Sequence, residues 1–403
     1  MGSDRLRKIG PTALILFYLA IAFEVVIMIT PFTVYFYSLY APILNRLEAN
    51  VWTSWLTAFF LPHITYTEDP LLLALVYSGP ILLGIGLAIF FVCAFQVYSA
   101  KLFRRGVVTG GLYRYIRHPQ YLGLAIAGLG LLLYWPRFII LVLYVSMLFV
   151  YYFLARNEEG RMLGRYGEGY RRYVDRIPMF LPGNPGGRLF RKLTGGIETR
   201  GLALTLLYVI TLVAGVGAGF LLREYTERRV PILYNDTEGL AVVSLTPIGT
   251  EQMGRLITIA RNSQEVASRL ADLHREGRTL VAYILPQEYM MQHLLADLGE
   301  HEAHHGKGGQ GGFWAALKHL GQMYLLTPLA QLRDGAASAE KRIIFTEALT
   351  ATGNNVSPRR ALSVGVLRYP RFFADIDAAL GEVILTMETP RRHSWGTIPV
   401  PAF

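Results

Sequence analysis

The dominant pattern along the chain is a series of long apolar runs confined to its first half. A helix that crosses a bilayer needs ~20 apolar residues, because the hydrocarbon core is ~30 Å thick and each residue adds ~1.5 Å. Residues 11–40 meet that length, broken only by Glu24, and residues 71–100 meet it without any charge. Residues 119–136 and 138–155 are two shorter uncharged runs separated by Arg137, which predicts a tight helical hairpin. Residues 201–222 form a fifth run. Residues 51–62 are too short to span and are expected to lie along an interface or re-enter, with Trp52 and Trp55 at headgroup level. Beyond residue 222 the pattern changes. Strand-like segments at 240–245, 279–285, 342–345 and 383–387 alternate with amphipathic, helix-like ones at 251–275, 287–305 and 313–332. The expected fold is an α-helical integral membrane domain of about five spans followed by a soluble α/β or α+β domain. The division is 1–70, N-terminal span and interfacial segment; 71–200, the main membrane domain; 201–222, the last span; and 223–403, the soluble domain.

Composition agrees. Hydrophobic residues make up 52% of the 403 and charged residues only 17%, with a mean hydropathy of +0.33. A soluble chain carries roughly a quarter charged residues, so this one has too few to cover its surface. Disorder, collagen and a nucleic-acid-binding tail are excluded on the same ground. The single cysteine, Cys93, rules out a disulfide framework and a Cys-clustered zinc site, and its apolar surroundings fit a buried structural thiol.

The net charge of +10 is unevenly placed. Residues 1–222 hold 20 Lys and Arg against 10 acids, whereas 223–403 hold 19 against 19. Such an excess marks basic loops flanking membrane spans rather than a nucleic-acid face. Lys101, Arg104, Arg105, Arg114 and Arg117 occupy one loop without an acid, and residues 156–200 carry ten basic residues against five acidic. Both loops are expected to face the cytoplasm with the N-terminus, leaving Glu68, Asp69 and the C-terminal domain outside. The predicted location is the inner (plasma) membrane. The first run is too long for a signal peptide and is expected to remain as a membrane helix.

Two polar segments interrupt this apolar half. One runs Gly110-Gly111-Leu112-Tyr113-Arg114-Tyr115-Ile116-Arg117-His118-Pro119-Gln120-Tyr121-Leu122-Gly123. The other runs Arg156-Asn157-Glu158-Glu159 and continues through Tyr166-Gly167-Glu168-Gly169-Tyr170-Arg171-Arg172-Tyr173 to Ile177-Pro178-Met179-Phe180-Leu181-Pro182. A helical hairpin returns the chain to the face it left, so His118 and Glu158 should meet there. Clustered polar groups at the ends of apolar helices are costly unless paired or used. A basic, aromatic interfacial belt would explain the Arg and Tyr residues well, but the His-Pro and Glu-Glu pairs poorly.

The G-x-Y-R-x-x-R-H-P-x-Y-x-G segment, the Glu-Glu pair and the Y-G-x-x-Y-x-x-Y…P…P tail resemble the isoprenylcysteine carboxyl methyltransferase family, whose relatives include phospholipid N-methyltransferases and thiol S-methyltransferases. The resemblance covers about residues 71–183. It implies an enzyme that uses S-adenosylmethionine as cofactor at the cytoplasmic membrane face. It further implies that Tyr113, His118, Pro119, Tyr121 and Leu122 contact the cofactor, with Glu158 and Glu159 holding its ammonium or ribose hydroxyls. The tail with Tyr170 and Tyr173 would cover the adenine, and Arg156 would lie near the acceptor.

Methyl transfer from a sulfonium is an in-line displacement, so alignment and exclusion of water carry most of the catalysis. A carboxylate or thiolate acceptor needs only a cation nearby, for which Arg117 or Arg156 could serve. An amine or thiol needs a proton removed, for which Glu158 or His118 could serve. The implied partners are the lipid bilayer, a lipid-like or thiol acceptor, and a protein for residues 223–403, with no nucleic acid. A different function class, an accessory subunit of a larger membrane complex on a retained methyltransferase-like scaffold, stands beside the enzyme. Glu24 would line a tunnel or pair with an Arg, or else be an acid simply tolerated near the helix interior. His293, Glu300, His301, His304 and His305 have metal-compatible helical spacing, but the adjoining glycine-rich run 306–312 favours a solvated loop without metal.

Overall fold

The computed structural model describes residues 46–62, 67–194, 199–244, 246, 248–287 and 340–389. The expected span at 11–40 with Glu24 therefore lies outside the described residues. So do the helices expected at 287–305 and 313–332, Gln287 apart, with their histidines. The chain divides into two compact units, a helical one built mainly on residues 55–232 and a sheet-containing one built mainly on 233–361 and 365–400.

The helical unit contains α1 (Pro70–Leu102), α2 (Pro119–Tyr134), α3 (Phe138–Tyr166), α4 (Glu168–Arg176), α5 (Pro185–Thr194) and α6 (Arg200–Arg229). Asp69 starts α1: its Oδ1 accepts from the Leu71 and Leu72 amides at 3.0 and 3.1 Å, and Pro70 occupies the first turn where no amide is needed. Among the described residues three helices, α1, α3 and α6, are long and apolar enough to cross a membrane. With 16 residues, α2 is shorter, ~24 Å at 1.5 Å per residue. The expected hairpin forms around Arg137, but α3 does not stop at 155. It carries the Arg-Asn-Glu-Glu motif on to Tyr166, so both glutamates are helical. Likewise α6 continues past 222 to Arg229.

Glycines set how closely α1 and α2 approach. A Cβ on Gly86 would stand 2.3 Å from Ala127 N and 2.5 Å from Gly123 O; one on Gly130 would stand 2.4 Å from Leu83 N and 2.6 Å from Gly79 O. The two pairs repeat at seven-residue spacing on antiparallel helices, a seam of backbone on backbone of the kind small residues permit in membranes. On the other side, α6 runs antiparallel to α3. Ser146 and Tyr208 hydroxyls are 3.0 Å apart, and the Phe138 and Phe220 rings are 4.4 Å apart.

Within the expected interfacial or re-entrant segment 51–62, residues 55–62 pack against the helices of the unit. Trp55 packs 5.6 Å from the Phe138 ring and 5.9 Å from Phe220 rather than facing outward, and Phe60 and Leu61 are buried. The segment bonds to the hairpin turn, Phe60 N to Pro136 O at 2.8 Å and Phe138 N to Ala58 O at 3.1 Å. Two buried arginines hold its carbonyls, Arg137 donating to Thr57 O at 3.3 Å and Arg223 to Phe59 O. These pairings replace the water that an irregular segment would otherwise need.

The other unit is a six-stranded mixed sheet in the order β1 (Ile232–Asn235), β2 (Leu240–Ser244), β3 (Leu280–Pro286), β4 (Glu340–Thr350), β5 (Val366–Asp377), β6 (Glu382–Glu388). Strands β2 and β3 are parallel, and β3 to β6 pair antiparallel. The crossover between β2 and β3 is α7 (Thr250–Asn262) and α8 (Gln264–Arg275), two helices where one was expected over 251–275. Ser263 takes extended dihedrals (φ −71, ψ 125) between them, and Asn-Ser is a poor pair to propagate a helix. The core joins Val242, Ile284, Ile343, Phe345 and Phe372 of the sheet to Met253, Leu256 and Val266 of the helices. Strand β4 runs well beyond the expected 342–345, and β5 was not expected. Pro370 breaks β5's alternation in sequence, yet it sits at a bulge: Phe345 pairs with Phe372 and Thr346 with Pro370, leaving Arg371 as the extra residue. Arg371 and Arg278 then close on the fully buried Glu347, each at 2.9 Å.

Candidate functional site

The site is assembled at the end of the helical unit where α2 begins and α3 carries its polar turns. A 3-10 turn, Gly111–Arg114, opens it. Gly111 has φ +61, a left-handed conformation that favours glycine, and packs beside the Gln96 side-chain amide. The turn buries Tyr113, whose hydroxyl donates to Gln120 Oε1 at 2.8 Å. His118 then caps α2, with Pro119 at its first helical position.

His118 is buried, and its ring lies between the two glutamates of α3. Its Nε2 is 3.2 Å from Glu159 Oε1, while Nδ1 is 3.7 Å from Glu158 Oε2 and has no hydrogen-bond partner among the described residues. Arg117 points the same way, with Nε 3.0 Å from Glu159 Oε1 and Nη1 donating to Val174 O at 2.9 Å. Glu159 is thus a buried carboxylate held by a guanidinium and an imidazole. Glu158, one residue earlier, keeps 36% of its side chain exposed and accepts from the Tyr121 hydroxyl at 3.4 Å. Tyr121 is sandwiched: its ring stacks on His118 at 5.5 Å and on Tyr151 at 5.3 Å.

The segment after α4 returns to close this cluster. Arg117 N donates to Pro178 O at 2.9 Å and His118 N to Met179 O at 3.1 Å, a short backbone ladder across the site. Phe180 approaches the His118 ring at 6.0 Å, and the Tyr173 hydroxyl donates to Tyr113 O at 2.6 Å. The structure therefore brings together Tyr113, Arg117, His118, Pro119, Tyr121, Glu158, Glu159, Tyr170 and Tyr173. Leu122 bonds through its amide to His118 O at 3.2 Å. Arg156 stands at the margin, half exposed, with Nη1 3.9 Å from Glu159 Oε2. Sequence reasoning missed Gln96, Gln120 and Tyr151. For Gln96 a signal existed, since an amide in an uncharged apolar run is itself conspicuous.

Burial raises the Tyr170 and Tyr173 hydroxyls to about 12 from the ordinary 10.0, and the Glu159 carboxylate adds to the rise in both while Arg117 opposes it. Burial pushes Tyr113 up further, helped by Cys93 and Glu158. A pKa raised on folding gives stabilisation that is complete below the unfolded value and lost as pH climbs through the folded one. The site end should therefore hold to about pH 10 and loosen towards 12. A phenolate absorbance titration should show a late phase near 12 that shrinks in Tyr170→Phe/Tyr173→Phe. If every phenol ionises near 10, the packing described here is wrong.

Residues 73–169 match the family model described as phospholipid methyltransferase. Over 78 residues the chain is 32% identical to a Schizosaccharomyces pombe protein described as protein-S-isoprenylcysteine O-methyltransferase, an alignment covering 19% of this chain and 33% of that protein. The chain thus spans about a third of the length of the curated relative it matches. No solved structure matches it. The segment from 73 to 169, which holds nearly all of α1, the whole of α2 and α3, the first polar cluster and the first part of the second, is similar to the phospholipid methyltransferase model, and the chain is similar over 78 residues to the S. pombe isoprenylcysteine methyltransferase.

Proposed function

We propose that the helical unit is a membrane methyltransferase that uses S-adenosylmethionine and acts on a lipid-like, lipidated or small thiol or carboxylate acceptor. The observation that carries this reading is the pairing of a buried, unused imidazole nitrogen with a part-exposed carboxylate: His118 Nδ1 behind Glu158, inside a wall of tyrosines. The polar set fits the cofactor, which presents a sulfonium, an ammonium and ribose hydroxyls, complementary to the Glu158 carboxylate and to a ring nitrogen able to hydrogen-bond. When bound, the cofactor supplies a methyl group on a positively charged sulfur.

The remaining roles belong to the chain. Glu158 and His118 bind the polar end of the cofactor, while Pro119, Tyr121 and Leu122 form the wall against it. Tyr113, Tyr170 and Tyr173 fix the returning segment, which shields the nucleoside part from water. Arg117 and Glu159 act as positioning residues: their ion pair sets the His118 ring and leaves Nδ1 towards Glu158. Arg156, exposed beside this cluster, faces the acceptor side. The accessory-subunit alternative is not favoured, because a mere scaffold has no need for His118, Glu158 and the tail tyrosines to converge.

Calorimetry on the purified, detergent-solubilised protein tests the reading. Micromolar binding of S-adenosylmethionine and S-adenosylhomocysteine is expected, and His118→Ala should weaken it at least tenfold while the protein stays folded. A well-folded wild type that binds neither ligand would remove the enzyme assignment.

A further inference from the structure

Gln96 lies on α1 within the run 71–100, which carries no charge. Its Oε1 is fully buried, and its amide forms no hydrogen bond among the described residues. Between membrane helices a glutamine normally bonds to a neighbouring helix, and a buried acceptor left unmatched bears the full cost of its dehydration.

The surroundings of this amide tie it to the site. It packs beside Gly111, which opens the turn that buries Tyr113. One turn earlier on the same face of α1, the Cys93 carbonyl stands 3.4 Å from the Tyr113 hydroxyl. That hydroxyl donates to Gln120 on α2, two residues beyond His118, and the Tyr113 carbonyl accepts from Tyr173 of the returning tail. Gln96 therefore adjoins the same turn that the tail closes upon. It approaches from α1, whereas the two glutamates approach from α3.

The chemistry of the unmatched group selects its ligand. An amide presents an acceptor and a donor side by side in one plane. On S-adenosylmethionine the adenine is the part that offers the matching planar pair. Its 6-amino group donates and the adjacent ring nitrogen accepts, the pairing by which glutamine reads adenine in nucleic acids. The methionine end is charged and the ribose hydroxyls do not lie in one plane, so neither matches an amide at both ends.

We propose that Gln96 recognises the adenine of the bound cofactor, with Oε1 accepting from the 6-amino group and Nε2 donating to the ring nitrogen beside it. The inference rests on the methyltransferase reading and deepens it. It makes Gln96 a specificity residue outside both polar segments of the sequence. The nucleoside then lies against α1 and the turn 111–114, and the amino-acid end lies at His118 and Glu158.

Calorimetry on the full chain in detergent tests this with S-adenosylhomocysteine and its 6-desamino analogue, in which hydrogen replaces the amino group. The wild type should bind the adenine compound about fivefold more tightly, the contribution of one neutral hydrogen bond. Gln96→Leu should weaken S-adenosylhomocysteine about tenfold and bring the two compounds to equal affinity. Gln96→Met, unbranched like glutamine, should do the same and separates loss of the amide from a change of shape. Thermal unfolding without ligand should be unchanged or raised in both variants, because no described partner loses a bond. A wild type that binds both compounds equally would overturn the proposal and leave the methyltransferase reading standing. So would variants that bind both more weakly but keep the wild-type preference, since Gln96 would then only pack. A folded wild type that binds neither compound would remove the methyltransferase reading itself.

Discussion

Replacing Glu159 with glutamine is expected to destabilise the helical unit by about 3–5 kcal/mol and to abolish cofactor binding. The carboxylate is buried with Arg117 Nε at 3.0 Å and His118 Nε2 at 3.2 Å, and both partners are themselves largely buried. Glutamine preserves the shape but leaves the guanidinium with an uncompensated buried charge, the situation in which removing one partner costs far more than the pair contributed. It also frees the His118 ring, which loses the contact that orients it. Glu158→Gln should behave differently. That side chain is over a third exposed, with a long 3.4 Å bond from Tyr121 and His118 Nδ1 at 3.7 Å, so folding should be nearly unchanged while cofactor affinity falls. Unfolding in denaturant and calorimetry on both variants separate the two roles. Equal stability losses in the two would show that the division between adjacent glutamates is false.

The second large effect is expected at Gly86, where alanine should destabilise by at least the 1–3 kcal/mol typical of overpacking. Its Cβ would lie 2.3 Å from Ala127 N and 2.5 Å from Gly123 O, both backbone atoms that no rotamer change can move. The only relief is to pull α1 and α2 apart, which opens the seam at Gly79 and Gly130 as well and shifts the start of α2, where His118 sits. Gly84, two residues earlier on the same helix, has nothing within 4 Å of its would-be Cβ. Gly84→Ala should therefore be neutral or gain up to ~1 kcal/mol, the ordinary preference of a helix for alanine. Thermal unfolding in detergent should move in opposite directions for these variants. A drop of similar size in both would mean that the close approach does not exist.

The hairpin was legible because Arg137 stands alone between two uncharged runs, and the meeting of His118 with the glutamates follows from any chain that enters and returns. The division of labour within the Glu-Glu pair was not legible. Neighbouring helical residues point about 100° apart, and only the packing of α3 decides which of the two turns inward. The partners of Trp55 were not legible for a similar reason: tryptophan near a span suits headgroups, and only the folded unit shows its ring against Phe138 and Phe220. Strand β5 was hidden by Pro370, which pattern reasoning counts against a strand unless the bulge that accommodates it is known.

The clamp on residues 55–62 also bears on how the protein is made. The Phe59 carbonyl obtains its Arg223 partner only after 164 further residues have been added, whereas the Thr57 carbonyl waits 80 for Arg137. At roughly 5–20 residues per second, the first interval is about 8–30 s of synthesis. During that time the Phe59 carbonyl lacks the Arg223 donor, and the arrival of α6 is what supplies it. The last helix of the unit is thus also the latch for its earliest described segment, and a nascent chain halted before Arg223 would present an open form of the unit to chaperones and proteases.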